Sequence, residues 1–484
     1  MPSRRVFLGS ALAGAAALAA GRLLRGAETQ RPRKRVLVIG AGLAGLACAI
    51  TLREAGHEVT IVEARTRAGG RVLTVREPFT DGLYAEAGAM YVGAQHDRTI
   101  GWCTTLGVRL VSDPPGSPAA RAIWHLAGRR SVLGPRDLPP LPFSPGERLA
   151  GWRGLYQSYR RPLVDAVGDP LLPDWPSAQA RAFDGKSFGA ALRERGASEA
   201  TVALFGLGLD GLWGEGIDSY SALFALREHA LARHGNGKSF RIDGGSDRLP
   251  AAMALKVAER IHYGMPVTRI EQDANAVRVV CLPASGGTRT FTADRLVCTL
   301  PYSVLRTLPI QPPFSPAKRR TIDELSYTSV TRTFVQLDRR VWQSRNEQGS
   351  ATTDLPIQFV NDDSAAQAGV RAIVSSYATG ERARRLAAMP EPERIMFVAR
   401  ELDKVHPGAL AAFEGGSSKA WDLDPWSRGD YCYFKPGQMV SLGPSLATAE
   451  GRIHFAGDHV SMWPGWMQGA LASGEDAARA VDAA

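Results

Sequence analysis

Arg35 to Arg71 reads RVLVIGAGLAGLACAITLREAGHEVTIVEARTRAGGR. The apolar run Val36–Ile39 predicts a buried strand, the stretch after the glycines has helical periodicity, and Glu58–Val62 predicts a second strand that ends in an acid, Glu63. Gly40, Gly42 and Gly45 stand between the first strand and the helix at the GxGxxG spacing of a dinucleotide-binding unit. Gly40 allows a sharp turn, Gly42 lets backbone approach a pyrophosphate, and Gly45 lets the helix pack closely on the sheet. The helix start at Leu43 and Ala44 offers unpaired N–H groups and the positive end of a helix dipole to the phosphates. Glu63 is spaced to accept from a ribose hydroxyl, with Ala64 and Arg65 following it at the same site. Gly69, Gly70 and Arg71 add a second glycine turn and a cation, which favours FAD over NAD.

The far end of the chain agrees. Arg452–Asp458, RIHFAGD, predicts a short strand running into a glycine turn with an acid, and WPGWMQGALASGEDAARAV after it is helical in period. Together with the strand Arg295–Leu300, these two ends resemble the flavin amine oxidase family, which includes monoamine oxidases, polyamine oxidases and L-amino-acid oxidases. The resemblance runs from Arg35 to the C-terminus and is weakest between about Pro114 and Gly235.

That resemblance implies an α/β, two-domain flavin amine oxidase fold. A Rossmann-like FAD-binding domain would be assembled from residues 35–96, 239–312 and 421–484, and an α+β substrate-binding domain from 97–238 and 313–420. It also implies cofactor contacts at Gly88, Ala89 and Met90, at Val267 by the adenine, at Trp421, and at Gly457, Asp458, Trp466 and Met467.

The chemistry it implies is transfer of a hydride equivalent from the carbon beside an amine nitrogen to flavin N5, which requires a neutral amine in a dry pocket and no nucleophile. In the family two aromatic side chains flank the amine, and the matching positions are Tyr431 in SRGDYCYF and Trp466 in WPGWMQGA. Three departures matter. Asp430 stands where animal monoamine oxidases carry the cysteine that bonds FAD, so non-covalent FAD is expected; Cys432 is two positions away. Arg332 replaces the lysine that holds a water at flavin N5, keeping the charge on a broader fork that does not deprotonate. Tyr91, after AEAGAM, replaces the arginine that clamps the substrate carboxylate in bacterial L-amino-acid oxidases.

The expectation is therefore an oxidase of small-molecule amines lacking an α-carboxylate. The alternatives are an L-amino-acid oxidase using another group such as Arg332 or His229, and an amine dehydrogenase. Oxygen or another electron acceptor would take the electrons.

Residues 1–35 hold eight arginines and lysines against Glu28, which is +7 of the net +10 and leaves +3 for the rest, so no nucleic-acid-binding surface is expected. Ser3-Arg4-Arg5-Val6-Phe7-Leu8 followed by the apolar stretch Val6–Ala20 predicts a twin-arginine signal peptide over 1–30, with Ala17-Leu18-Ala19 as a cleavage site. Export of a folded, FAD-loaded protein through that machinery to the periplasm or medium follows. A C-terminal membrane anchor is not expected, and a homodimer is left open. The five cysteines form no CxxC pair, and buried free thiols are expected at Cys48 and Cys298. No histidine spacing suggests a metal site.

Overall fold

Five short parallel strands form the sheet on which the molecule is built, in the computed structural model that describes residues 32–112, 121–134 and 137–484. Their order is Ile261–His262, Glu58–Val62, Arg35–Ile39, Arg295–Cys298 and Ile453–Phe455, so the sheet joins segments more than 400 residues apart in the chain. These strands are nearly continuous runs of Val, Ile and Leu because both faces are covered. One face is covered by helix Leu43–Glu54 and the C-terminal helix Met467–Ala483. The two helices approach so closely that a Cβ on Gly474 would come 2.2 Å from the carbonyl oxygen of Ala44. Their N-termini, at Gly42 and Trp466, consequently open onto one space.

A second sheet of seven strands lies across that space. Its order is Phe413–Ala420, Val330–Leu337, Ala372–Thr379, Phe359–Asp362, Glu347–Thr353, Arg121–Leu126 and Arg129–Leu133. The strand Val330–Leu337 is buried along its whole length, and its antiparallel register sets Arg332 opposite Tyr377. Helices from residues 145 to 233 pack around Phe188, Phe205, Tyr220 and Phe224. Serine caps start several of them: Ser187, Ser198 and Ser221 each accept from a backbone N–H three residues on.

The elements read from the sequence stand where expected to within a few residues. The expected strands Val36–Ile39, Glu58–Val62, Arg295–Leu300 and the short strand in Arg452–Asp458 are Arg35–Ile39, Glu58–Val62, Arg295–Cys298 and Ile453–Phe455. All five cysteines are free and buried. The expected signal segment 1–30 lies outside the described residues. Among the described residues no helix is long and apolar enough to cross a membrane.

Candidate active site

A cavity of about 1160 Å³ runs between the two sheets, larger than the ~300–1,000 Å³ of ordinary small-molecule sites. One end is made largely of backbone. Gly40 turns with φ +102°, and Gly69 N–H donates to the Ala41 carbonyl at 2.8 Å, so the two glycine turns lie side by side. A Cβ on Gly42 would meet nothing within 4 Å, whereas one on Gly45 would lie 2.0 Å from the Gly40 carbonyl oxygen. Gly42 therefore leaves room for a ligand, and Gly45 leaves room for the protein's own chain.

Glu63 is 4% exposed and lines this end. Its Oε2 accepts from Ala41 N–H at 2.8 Å and its Oε1 from Arg65 N–H at 2.9 Å, which orients the carboxylate and leaves lone pairs for a diol. Arg65 reaches Asp424 at 2.7 Å and Ser427 at 3.1 Å. Ala64, Met265, Val267 and Trp426 complete this wall. Farther in, Arg71 pairs with Asp458 and donates to the Asp430 carbonyl. Burial works against the ionised form of Asp458, but Arg71 and His459 outweigh it and hold its carboxyl below the usual range. Asp430 lines the same space, and its carboxyl has no hydrogen-bond partner among the described residues; burial pushes it up to about 7. An open glycine, an oriented acid and two uncapped helix N-termini suit a dinucleotide of FAD's length.

The other end is aromatic. Tyr431 donates its hydroxyl to the Leu212 carbonyl at 2.6 Å, accepts from Tyr377 at 3.3 Å, and meets Trp213 at a ring distance of 4.6 Å. A Cβ on Gly465 would lie 3.2 Å from the Tyr431 Cβ, so Trp466 follows directly beside it. Tyr91 lines the wall, and Arg241 Nη2 donates to its hydroxyl at 3.1 Å with the guanidinium 4.9 Å over the ring. The pairing of Val92 with Phe240 explains why Arg241 arrives there.

Arg332 lines the cavity but is 1% exposed. It pairs with Asp363 at 3.1 Å, donates to the Glu86 carbonyl and lies 5.1 Å from the Tyr377 ring.

Of the positions singled out from the sequence, Gly40, Gly42, Leu43, Ala44, Glu63, Ala64, Arg65, Gly70, Arg71, Gly88, Ala89, Met90, Tyr91, Val267, Arg332, Tyr431, Gly457, Asp458, Trp466 and Met467 all line this one cavity. Gly45 and Trp421 do not. Trp421 is fully buried and donates its indole N–H to the Ala87 carbonyl at 2.8 Å, supporting the backbone that carries Gly88 to Met90. His229 is tied to Asp210 at 2.8 Å and is not among the residues lining the cavity. Cys432 is buried and also off the wall. Sequence reasoning missed Trp213, Tyr377, Phe359 and Asn361. Trp213 had one legible signal, an aromatic between glycines in DGLWGEG; the others sit in ordinary strand patterns.

The model of the family described as flavin containing amine oxidoreductase matches residues 43–482. YobN of Bacillus subtilis (strain 168), provisionally named an L-amino-acid oxidase, is 32% identical over 457 residues, covering 92% of this chain and 94% of that protein. The L-amino-acid oxidase of Naja atra is 28% identical, covering 94% of this chain and 89% of that protein. Among solved structures, cyclohexylamine oxidase from Brevibacterium oxydans IH-35A superposes with a TM-score of 0.78 at 24% identity, covering 93% of this chain and 99% of that one. Putrescine oxidase bound to putrescine gives a TM-score of 0.77 at 22% identity, with 94% and 100% covered.

Proposed function

Because the chain belongs to the flavin-containing amine oxidoreductase family, we propose that it oxidises amines lacking an α-carboxylate, with FAD held non-covalently. The observation that carries the substrate class is Tyr91. Its phenol lines the same cavity as the aromatic pair, and its hydroxyl accepts from Arg241. Of the guanidiniums on the wall, Arg332 is engaged by Asp363 and the Glu86 carbonyl, Arg71 by Asp458 and Arg65 by Asp424. A substrate carboxylate here would lose its hydration without gaining a bidentate partner, which is costly. A plain amine carries no such group.

FAD, when bound, supplies the acceptor for a hydride equivalent from the carbon beside nitrogen. Tyr431 and Trp466 hold the amine between apolar, electron-rich ring faces and exclude water. Tyr377 and the Leu212 carbonyl fix the tilt of Tyr431 through its hydroxyl. The first N–H groups of helix Met467–Ala483 face the cavity and favour negative charge there. The imine product hydrolyses to aldehyde and ammonia, and oxygen taking the electrons gives hydrogen peroxide. Arg332 keeps a positive charge on the wall without a proton to exchange. Asp430 in place of a cysteine, with Cys432 off the wall, supports non-covalent FAD, so acid precipitation should leave all the flavin in the supernatant.

We further propose FAD-binding segments 35–96, 239–312 and 421–484, substrate-binding segments 97–238 and 313–420, and export by the twin-arginine route. The second reading is an L-amino-acid oxidase, favoured by the names of the relatives at 32% and 28% identity.

Matched substrates separate the two. Anaerobic flavin reduction should be faster with phenethylamine than with phenylalanine. Tyr91→Arg should shift the preference toward phenylalanine by one to two decades, the scale of a charge-assisted pair of roughly 1.5–3 kcal/mol. A parent enzyme that prefers phenylalanine, unimproved by Tyr91→Arg, would establish the amino-acid reading.

A further inference from the structure

One helix, Ala222–Arg233, reaches both aromatic walls. Its Phe224 meets Trp213 edge-on at 4.8 Å, and Trp213 in turn meets Tyr431 at 4.6 Å. Four residues on, Glu228 accepts the indole N–H of Trp466 on Oε2 at 3.1 Å, while its Oε1 accepts from Arg227 Nη2 at 3.0 Å. Glu228 itself is not part of the cavity wall.

The pair is a poor device for stability. The Glu228 side chain is 14% exposed and that of Arg227 4%, so both charges are largely out of water. Among the described residues Arg227 Nε has no hydrogen-bond partner, and the guanidinium rests 5.1 Å from the Phe224 ring. Replacing a buried ion pair by apolar residues of similar volume is often neutral or stabilising. Burial, opposed by Arg227, holds the Glu228 carboxyl above its usual range, a further sign that the charge is not comfortable there.

What the carboxylate does hold is an indole. Trp466 precedes helix Met467–Ala483 with extended backbone, φ −113° and ψ 145°, so the helix does not restrict its side chain. His96 packs on the same indole edge-to-face at 4.8 Å. A directed acceptor at the indole nitrogen and a ring against it leave one plane for the wall.

We propose that Glu228 is a positioning residue that sets the plane of Trp466 at the substrate, an assignment that rests on the aromatic-wall reading above. The catalytic contact is made by Trp466; Glu228 acts through it.

The test is a double-mutant cycle on the FAD-loaded protein, read by anaerobic flavin reduction with phenethylamine and by near-ultraviolet circular dichroism. Glu228→Leu should slow reduction roughly 10- to 100-fold, the cost of a misplaced contact, with full FAD content. Glu228→Gln, whose amide oxygen still accepts from the indole, should stay within roughly threefold of the parent. Trp466→Phe removes the donor, and adding Glu228→Leu to it should change neither rate nor dichroism further. If Glu228→Leu does not fold, Arg227→Met with Glu228→Leu removes both charges together and takes its place in the cycle. Losses from Glu228→Leu and Trp466→Phe that simply multiply would overturn the positioning role. So would a parent rate in Glu228→Leu while Trp466→Ala is slow, an outcome that leaves the aromatic wall standing. A parent rate in Trp466→Ala overturns the wall and this proposal together.

Discussion

The two ends of the cavity are made differently. At the end proposed for the cofactor the wall is mainly backbone: glycine turns at Gly40 to Gly42 and Gly69 to Gly70, the starts of two helices, and one acid oriented by two N–H groups. At the end proposed for the substrate it is side chain: Tyr91, Trp213, Tyr377, Tyr431 and Trp466 arrive from five separate segments, Trp213 held by ring contacts with Phe224 and Tyr431 and the other four by hydroxyl and indole bonds. Backbone recognition constrains residue size and spacing over a short stretch, so it leaves a fingerprint. A wall of side chains constrains only where each chain segment arrives, and many sequences satisfy that.

The largest effects should come from testing the backbone end. Gly45→Ala would push a Cβ to 2.0 Å from the Gly40 carbonyl oxygen, and backbone cannot yield as a side chain does; a cost of about 3 kcal/mol or more and loss of soluble, yellow protein are expected. Gly42→Ala meets no protein atom within 4 Å, so it should fold and lose FAD affinity on the order of tenfold, about 1.4 kcal/mol. Titration of the stripped protein with FAD checks the second; parent affinity in Gly42→Ala would break the claim that this turn touches the ligand.

At the side-chain end the fold should survive and the chemistry should not. Trp466→Ala and Tyr431→Ala are expected to keep FAD and slow flavin reduction by roughly tenfold to a thousandfold, about 1.4–4 kcal/mol in the barrier. Stopped-flow reduction alongside FAD content decides it. Variants that instead lose FAD would erase the distinction between the two ends.

The smallest effect lies where the ends meet. Burial pushes the Asp430 carboxyl up to about 7, with Asp458 adding to it and Arg71 and Arg332 opposing. A carboxyl whose folded pKa is raised favours the folded state while it is protonated. That contribution is present below the unfolded value of about 4 and is lost as pH rises to about 7. Asp430→Asn removes the loss, so its melting temperature should exceed the parent's by roughly 2–5 °C at pH 8, with a smaller gap at pH 5. A gap that widens toward acid would reverse the sign and remove Asp430 from the boundary.

The strands, the helix starts, Glu63 and Arg71 were legible because each follows a local rule of period, spacing or turn chemistry. Tyr431, Trp466 and Tyr91 were legible only through resemblance, since nothing around them marks an aromatic as a wall. Trp421 and His229 show the limit. The resemblance implies a cofactor contact for Trp421 and His229 was a candidate for a carboxylate; in the fold the Trp421 indole N–H goes to the Ala87 carbonyl and His229 to Asp210. A residue type declares what it can bond, and the fold decides what it meets first.

By itself the sequence determined a strand, a glycine turn, a helix and an acid, because a parallel strand buried on both faces and a phosphate-binding turn each tolerate few residue types. It also determined that the chain returns to that unit at its far end. Only the tertiary structure decided that Gly474 docks on Ala44 and aims two helix starts at one cavity, that Arg241 stands behind Tyr91, that Asp363 occupies Arg332, and that Glu228 holds Trp466. Those are contacts between segments 31 to 430 residues apart, each fixed by packing of whole elements, and no local pattern in the chain encodes which side chain such packing will deliver.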